Sequence, residues 1–317
     1  MTSTDSAAAL VPFMMRRPGV SFPPPEYEEF RTKPGLVKAA LPSGETVWLV
    51  TRHEEVRAVL TDPRISSNPT HEGFPRPSRT VGAPSADDVP GWFVSLDPPD
   101  HNRFRKALIP EFTVRRIRSL RPAVEEIVDR AIDQMLGGGN TAELVEDFSL
   151  TVPSLVISSL LGVPKVDRDF FEEKTKVLVT LTSTDEQRDK ASEHLLRYHS
   201  VADLVALRVA IEDVEIGGQL VRAGEGIVPL VAGANHDPEM FDRPHEFDPS
   251  RSATGHVAFG YGVHQCLGQN LVRLEMDVAY RGLFQRIPTL EVAVPLEELQ
   301  FKYDGVLFGL HALPVRW

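Results

Sequence analysis

The only cysteine of this chain, Cys266, lies in the stretch FGYGVHQCLGQN at residues 259–270, framed by glycines at 260, 262 and 268. Just beyond it, Leu267, Leu271, Leu274 and Val278 recur with the period of an amphipathic helix. A helix that begins at the cysteine puts the thiol where unpaired backbone N–H groups and the positive end of the helix dipole favour thiolate over thiol. A thiolate is a soft, anionic metal ligand. Gly260 and Gly262 permit the tight turn that presents the sulfur, Gly268 permits close backbone approach, and Phe259 is placed to shield the sulfur from water. Single cysteines also serve as small buried hydrophobes, and the residues by themselves leave both roles open. A zinc site on His264 and Cys266 is ruled out, because only two ligands lie together and no second pair follows nearby.

Composition narrows the classes. With 42% hydrophobic and 25% charged residues over 317 positions, the chain has enough apolar material for one large or two small globular domains. A net charge of -11 argues against nucleic-acid partners and against a polybasic membrane patch. Residues 7–15, AAALVPFMM, are apolar but too short to span a bilayer and carry Pro12, so no membrane association is expected. One cysteine cannot make an intrachain disulfide, which points to the cytoplasm.

Helices dominate the pattern, with a smaller strand-rich part. SFPPPEYEEF reads as an extended lead-in, ETVWLVT as a strand and RHEEVRAVL as a short helix. Residues 110–136 read as one helix, with Ile117, Leu120, Val124, Ile127 and Ala131 on its apolar face and Gly137-Gly138-Gly139 as the stop. A second mainly helical stretch covers 142–199. RVAIEDVEIGGQLVRAGEGIVPL carries β-branched residues around Gly217-Gly218, a hairpin signal, and VAGANHDPEMFDRPHEFDPSR reads as a long loop leading to the cysteine stretch.

Phe259, Gly262, Cys266 and Gly268 match the signature F-x-x-G-x-x-x-C-x-G, and on these residues the chain resembles the cytochrome P-450 superfamily, in particular its soluble actinomycete members. SLDPPDHNRFRKAL, RVAIEDVEIGG, ANHDPEMF and FDPSR extend the resemblance over nearly the whole chain. It implies a mainly α fold with a small β-rich part, arranged as a single haem-binding domain over 1–317: helices to about 199, then strands, loop and ligand. It further implies haem b as cofactor, Cys266 as the iron ligand, and haem contacts from His101, Arg105, Arg208, Phe259, His264 and Gly268. Chemistry supports the basic members of that set. Haem carboxylates entering an apolar site need charge-assisted partners, and His101 and Arg105 share a helical face. The implied activity is insertion of one oxygen atom from O2 into a small hydrophobic organic molecule, with electrons from a ferredoxin and its NAD(P)H-dependent reductase. A thiolate ligand favours O–O cleavage over simple electron transfer.

Two departures qualify the resemblance. The family's central helix, with its [AG]-G-x-[DE]-T acid and alcohol, has no counterpart, and the chain is shorter than the family by roughly eighty to ninety residues, too many for loop trimming. The family's Glu-x-x-Arg is also incomplete: Arg197 has His194 three residues earlier and Glu193 four earlier, which places an internal deletion near residues 191–194. Glu246 stands where many members have Arg, so a substitute Arg197–Glu246 pair is conceivable, as are two separate surface charges. The alternative function is a haem protein with only peroxide-driven activity or none, and a third outcome is a deletion product that folds poorly.

Overall fold

The computed structural model describes residues 11–12, 17, 23–41, 43–76, 93–160, 196–198, 200, 205–248, 251–302 and 308–317. These fall into two compact units, one drawn from 1–107, 197–246 and 255–266, the other from 108–196, 247–254 and 267–317. The expected deletion point at 191–194 lies outside the described residues.

The first unit is built on a six-stranded sheet. Its strands are β1 (Val11–Pro12), β2 (Val37–Ala40), β3 (Thr46–Val50), β4 (Ile65–Ser66), β6 (Arg208–Ala210) and β9 (Gly226–Pro229), in the spatial order β1-β2-β3-β9-β6-β4. Strands from the two ends of the chain therefore interleave, which no local pattern announces: β3 pairs in parallel with β9, Trp48 opposite Ile227, and β4 pairs antiparallel with β6, Ser66 opposite Val209. Four of the five β3 residues are buried, the pattern of a strand covered on both faces. The hairpin expected at Gly217-Gly218 forms between β7 (Val214–Ile216) and β8 (Gln219–Val221), with φ of 56 and 77 at the two glycines. Positive φ at both central residues is the requirement of the turn that matches strand twist.

Two local expectations change. PEYEEF is not an extended lead-in throughout: α1 (Glu26–Thr32) starts directly after Pro25, with Glu26, Glu28 and Glu29 in its first turn and Tyr27 and Phe30 buried. Carboxylates at the positive end of the helix dipole and two aromatic anchors outweigh the proline signal. VAGANHD is not a loop, because α7 (Val231–Asn235) has all five residues buried. A Cβ on Gly233 would sit 3.4 Å from both Thr51 and Tyr27, which places this turn directly against both residues. α2 (His53–Val59) is found where RHEEVRAVL placed a helix.

In the second unit the expected helix over 110–136 is divided. Residues 109–112 form a 3-10 turn, α4 spans Val114–Arg118 under a Thr113 cap, and α5 runs Arg121–Gly137. Pro110 and Pro122 lack an N–H and are tolerated only in a first turn, so each restarts the helix. α5 packs Val124, Ile127, Val128, Ala131, Ile132 and Met135 against Leu271, Leu274, Val278 and Leu283 of α8 (Gln269–Arg286). The approach is close at Gly282, where a Cβ would meet Val128 at 2.8 Å and Ile132 at 3.0 Å. β5 (Thr141–Glu143), β10 (Glu291–Val292) and β11 (Pro314–Arg316) make a small antiparallel sheet beside α6 (Thr151–Leu160). Among the described residues no helix is long and apolar enough to cross a membrane.

Candidate functional site

The cysteine lies at the end of a loop closed by its own backbone. Cys266 donates its N–H to the Phe259 carbonyl at 2.8 Å, Gln265 donates to Gly262 at 3.1 Å, and Gly260 donates to Val257 at 2.8 Å. Gly260 and Gly262 both have φ of 71, in the left-handed region that L side chains avoid. At Gly262 space is short as well, since a Cβ would lie 2.8 Å from the Leu60 carbonyl at the end of α2. Arg57 of α2 stacks over the Tyr261 ring, 4.1 Å from its centre, and donates to its hydroxyl. The loop is thus clamped against α2 at two successive residues.

Cys266 is exposed, and Phe259 is half-buried with its ring 6.0 Å from that of His256. α8 does not start at the cysteine. Its first residue is Gln269, preceded by Gly268, so the sulfur precedes the helix by three residues.

Four basic side chains gather beside the loop. α3 (Asp100–Leu108) carries His101 and Arg105 one turn apart, and Arg105 reaches the loop itself, donating from Nη2 to the Gln265 carbonyl at 2.5 Å. The His101 ring, 1% exposed, lies 4.1 Å from that of His264. Arg208, at the start of β6, is 7% exposed and donates to the Leu207 carbonyl. The structure therefore brings His101, Arg105, Arg208, His264 and Cys266 together within the first unit, although they are far apart in sequence.

The electrostatics of this cluster are unbalanced. Burial lowers Arg208 to about 10, against a partial offset from Asp97. His264 is lowered to about 4 by burial and then by the charges of Arg208 and His101. Burial also lowers His101 and Arg105. Burial is the first cause in all four, and for His264 and His101 the neighbouring cations add to it. A dianion set among them removes that penalty through charge-assisted hydrogen bonds. A prosthetic group with two carboxylates and a thiolate-seeking metal fits this donor set.

The Glu-x-x-Arg arginine has a different environment from the one expected. Arg197, 2% exposed, donates to the Asn235 carbonyl at 2.6 Å and to that of Pro244 at 3.3 Å, whereas Glu246 is exposed and pairs with Arg243 at 2.6 Å. Glu193 and His194 lie outside the described residues.

Three residues of the site escaped the sequence reading. Asp97 was visible only as context in DPPDH, while Ser67, which lies 3.0 Å from Nε2 of His264, and Arg57 stand in stretches with no signal of their own.

Comparison with known proteins agrees with this geometry. A sequence model of the cytochrome P450 family matches residues 192–315. The vitamin D3 dihydroxylase of Streptomyces griseolus is 36% identical, covering 93% of this chain and 94% of that protein. Cytochrome P450-SU2 of the same organism is 34% identical across 100% of both chains. That second alignment runs to 406 positions against 317 residues here, so the relative carries internal sequence that this chain lacks. Among solved structures, cytochrome P450 MoxA from Nonomuraea recticatena superposes with a TM-score of 0.84 at 36% identity, covering 93% of this chain and 95% of that one. The mycinamicin VIII C21 methyl hydroxylase of Micromonospora griseorubida, solved with mycinamicin VIII bound, gives 0.86 at 32% identity, over 97% and 100% of the two chains. With identity above 30% spread over nearly the whole length of several relatives, and with the cysteine signature present, the chain belongs to the cytochrome P450 family, whose members are haem-dependent monooxygenases.

Proposed function

We propose that Cys266 would supply a thiolate ligand to the iron of haem b, that His101, Arg105, Arg208 and His264 would hold the haem carboxylates, and that Phe259 and Gly268 would lie against the group. The observation that carries this reading is the Arg105–Gln265 hydrogen bond, which joins the basic cluster to the cysteine loop and makes them one site. Thiolate-ligated haem supplies the chemistry that splits O2 and inserts one oxygen atom into an organic molecule. The chain's own residues do the rest: the loop holds the sulfur outward, and the basic side chains fix the group's orientation through its carboxylates.

The substrate is a small hydrophobic organic molecule. The names of the relatives, a vitamin D3 dihydroxylase and a mycinamicin methyl hydroxylase, point to polycyclic and macrocyclic compounds. Electrons come from a ferredoxin and its NAD(P)H-dependent reductase. The free Cys266 thiol suits a reducing compartment, the cytoplasm.

The test is an absorption spectrum of the purified, haem-reconstituted chain, reduced under carbon monoxide. A strongly red-shifted Soret band supports the reading, and a chain that takes up no haem overturns it. Turnover with ferredoxin and reductase, compared with a flavodoxin system, then tests the electron source.

A further inference from the structure

The carboxylate of Asp97 is the acid whose charge is felt by His101, Arg208 and His264 of the basic cluster. Its Oδ1 accepts the Ser67 N–H at 3.0 Å and lies 3.2 Å from the Ser67 hydroxyl, while its Oδ2 accepts the Ser66 hydroxyl. Its backbone carbonyl accepts the N–H of His101 at 3.0 Å. Each bond leads to one anchor. Ser67 Oγ lies 3.0 Å from Nε2 of His264. Ser66, on β4, is paired across the sheet with Val209, the neighbour of Arg208. His101 opens the helix that also carries Arg105. Ser66 and Ser67 are 1% and 6% exposed, while the Asp97 side chain that accepts from them is 30% exposed, so these bonds are partly buried.

We infer that Asp97 and Ser67 are positioning residues of the carboxylate-binding cluster: Asp97 holds Ser67, and Ser67 holds the His264 ring where it meets the haem carboxylates. The inference rests on the proposed role of the basic cluster. Asp97 does not itself bind the haem carboxylates, since two carboxylates placed together repel. Its effect is indirect, through the hydroxyl and the ring. The His71 ring, with Nε2 3.7 Å from Oδ2, stands on the more exposed side of the same carboxylate.

The experiment measures the rate at which haem leaves the reconstituted chain for an excess of a haem-scavenging apoprotein, with haem b and with its dimethyl ester, whose carboxylates are blocked. Ser67→Ala and Asp97→Asn are each expected to speed loss of haem b about tenfold, the equivalent of one hydrogen bond. Ser67→Thr, which keeps the hydroxyl, should leave at the parent rate. The double variant should be no faster than either single one, because both act through the same contact. With the dimethyl ester, parent and variants should lose the group at one common rate.

Equal acceleration for haem and ester, or additive effects in the double variant, overturns the inference, because general loosening of the fold gives those results. Should Ser67→Ala melt below the assay temperature, Ser67→Cys keeps the volume and carries the same expectation. Arg105→Ala is the control for the underlying reading. If it too leaves haem b loss unchanged, the cluster does not bind the carboxylates and both claims fall, whereas a fast Arg105→Ala beside parent-like Ser67→Ala and Asp97→Asn overturns only the positioning role.

Discussion

Cys266 and Phe259 are joined through the backbone, N–H to carbonyl at 2.8 Å, and this bond closes the loop that turns the sulfur outward. The first residue of the family signature and its cysteine thus meet in one hydrogen bond. Conformational demands elsewhere in the loop fall on Gly260 and Gly262.

Replacing the sulfur with oxygen tests the ligand. Cys266→Ser removes the soft anion but leaves the basic cluster, so the reduced carbon-monoxide complex should lose its red-shifted band while some haem stays bound. The absorption spectrum reads both, and an unchanged band would remove Cys266 from the iron.

The two loop glycines should respond differently to alanine. Both have φ of 71, which costs an L residue about 1–2 kcal/mol. At Gly260 the nearest outside atom to a Cβ is 3.9 Å away, but at Gly262 the Leu60 carbonyl is at 2.8 Å. Gly260→Ala should therefore show only the backbone cost in urea melts, and Gly262→Ala a clearly larger one together with weakened haem uptake. Equal losses would mean that α2 does not constrain the loop.

Arg208→Ala should act with opposite sense on the two forms of the protein. In the haem-free chain it removes a buried charge whose ionisation is disfavoured, so stability should hold or rise. With haem bound it strands a buried carboxylate, at a cost of order 3–5 kcal/mol if the site is dry. Urea midpoints of both forms decide this, and a parallel loss in the two would show a purely structural arginine.

Acid should weaken the fold through His236. This residue is fully buried, donates through Nδ1 to the Ala232 carbonyl, and has no partner for Nε2. Burial, then the charges of Arg197, His245 and Arg17, lowers it from 6.5 to about 3. With the folded value depressed, the unfolded chain binds the proton first, so this contribution is complete above pH 6.5 and is lost as pH falls from there toward 3. The slope is about 1.4 kcal/mol per pH unit at most. His236→Gln should flatten the decline in urea midpoint between pH 7 and pH 5; a slope equal to the parent's would assign acid sensitivity elsewhere.

Oxygen use should be poorly coupled. The sequence contains no [AG]-G-x-[DE]-T acid and alcohol, and a positioned proton donor is typically worth about 10²–10⁴ in rate. With reductase and ferredoxin supplied, most NAD(P)H should end in hydrogen peroxide rather than product, and inserting a family-type central segment between Ser192 and Glu193, together with His194→Glu, should raise the product formed per NAD(P)H. Tight coupling in the present chain would show that another group delivers the proton.

Local chemistry accounts for what could be read without coordinates. Positive φ at Gly217, Gly218, Gly260 and Gly262, the stop of α5 at its glycines, and the hairpin between β7 and β8 all depend on residues within a few positions of each other. The cysteine signature is local too, which is why the family was legible in ten residues. Where expectations missed, the deciding contact lay far off in sequence: α1 and α7 are helical because Tyr27, Thr51 and Gly233 pack together, and α8 begins later than its hydrophobic period suggests.

The sequence alone determined the signature around Cys266, the glycines that frame it and the absence of the family's acid and alcohol, because each is a property of contiguous residues. Only the tertiary structure decided how the cations are arranged. Arg208 reaches the cluster because β6 pairs between β9 and β4, strands drawn from opposite ends of the chain, and Ser67 meets His264 across 197 positions. Burial, and with it the lowered ionisation of His264 and Arg208, arises only when such distant segments exclude water together, and no local pattern of residues encodes that.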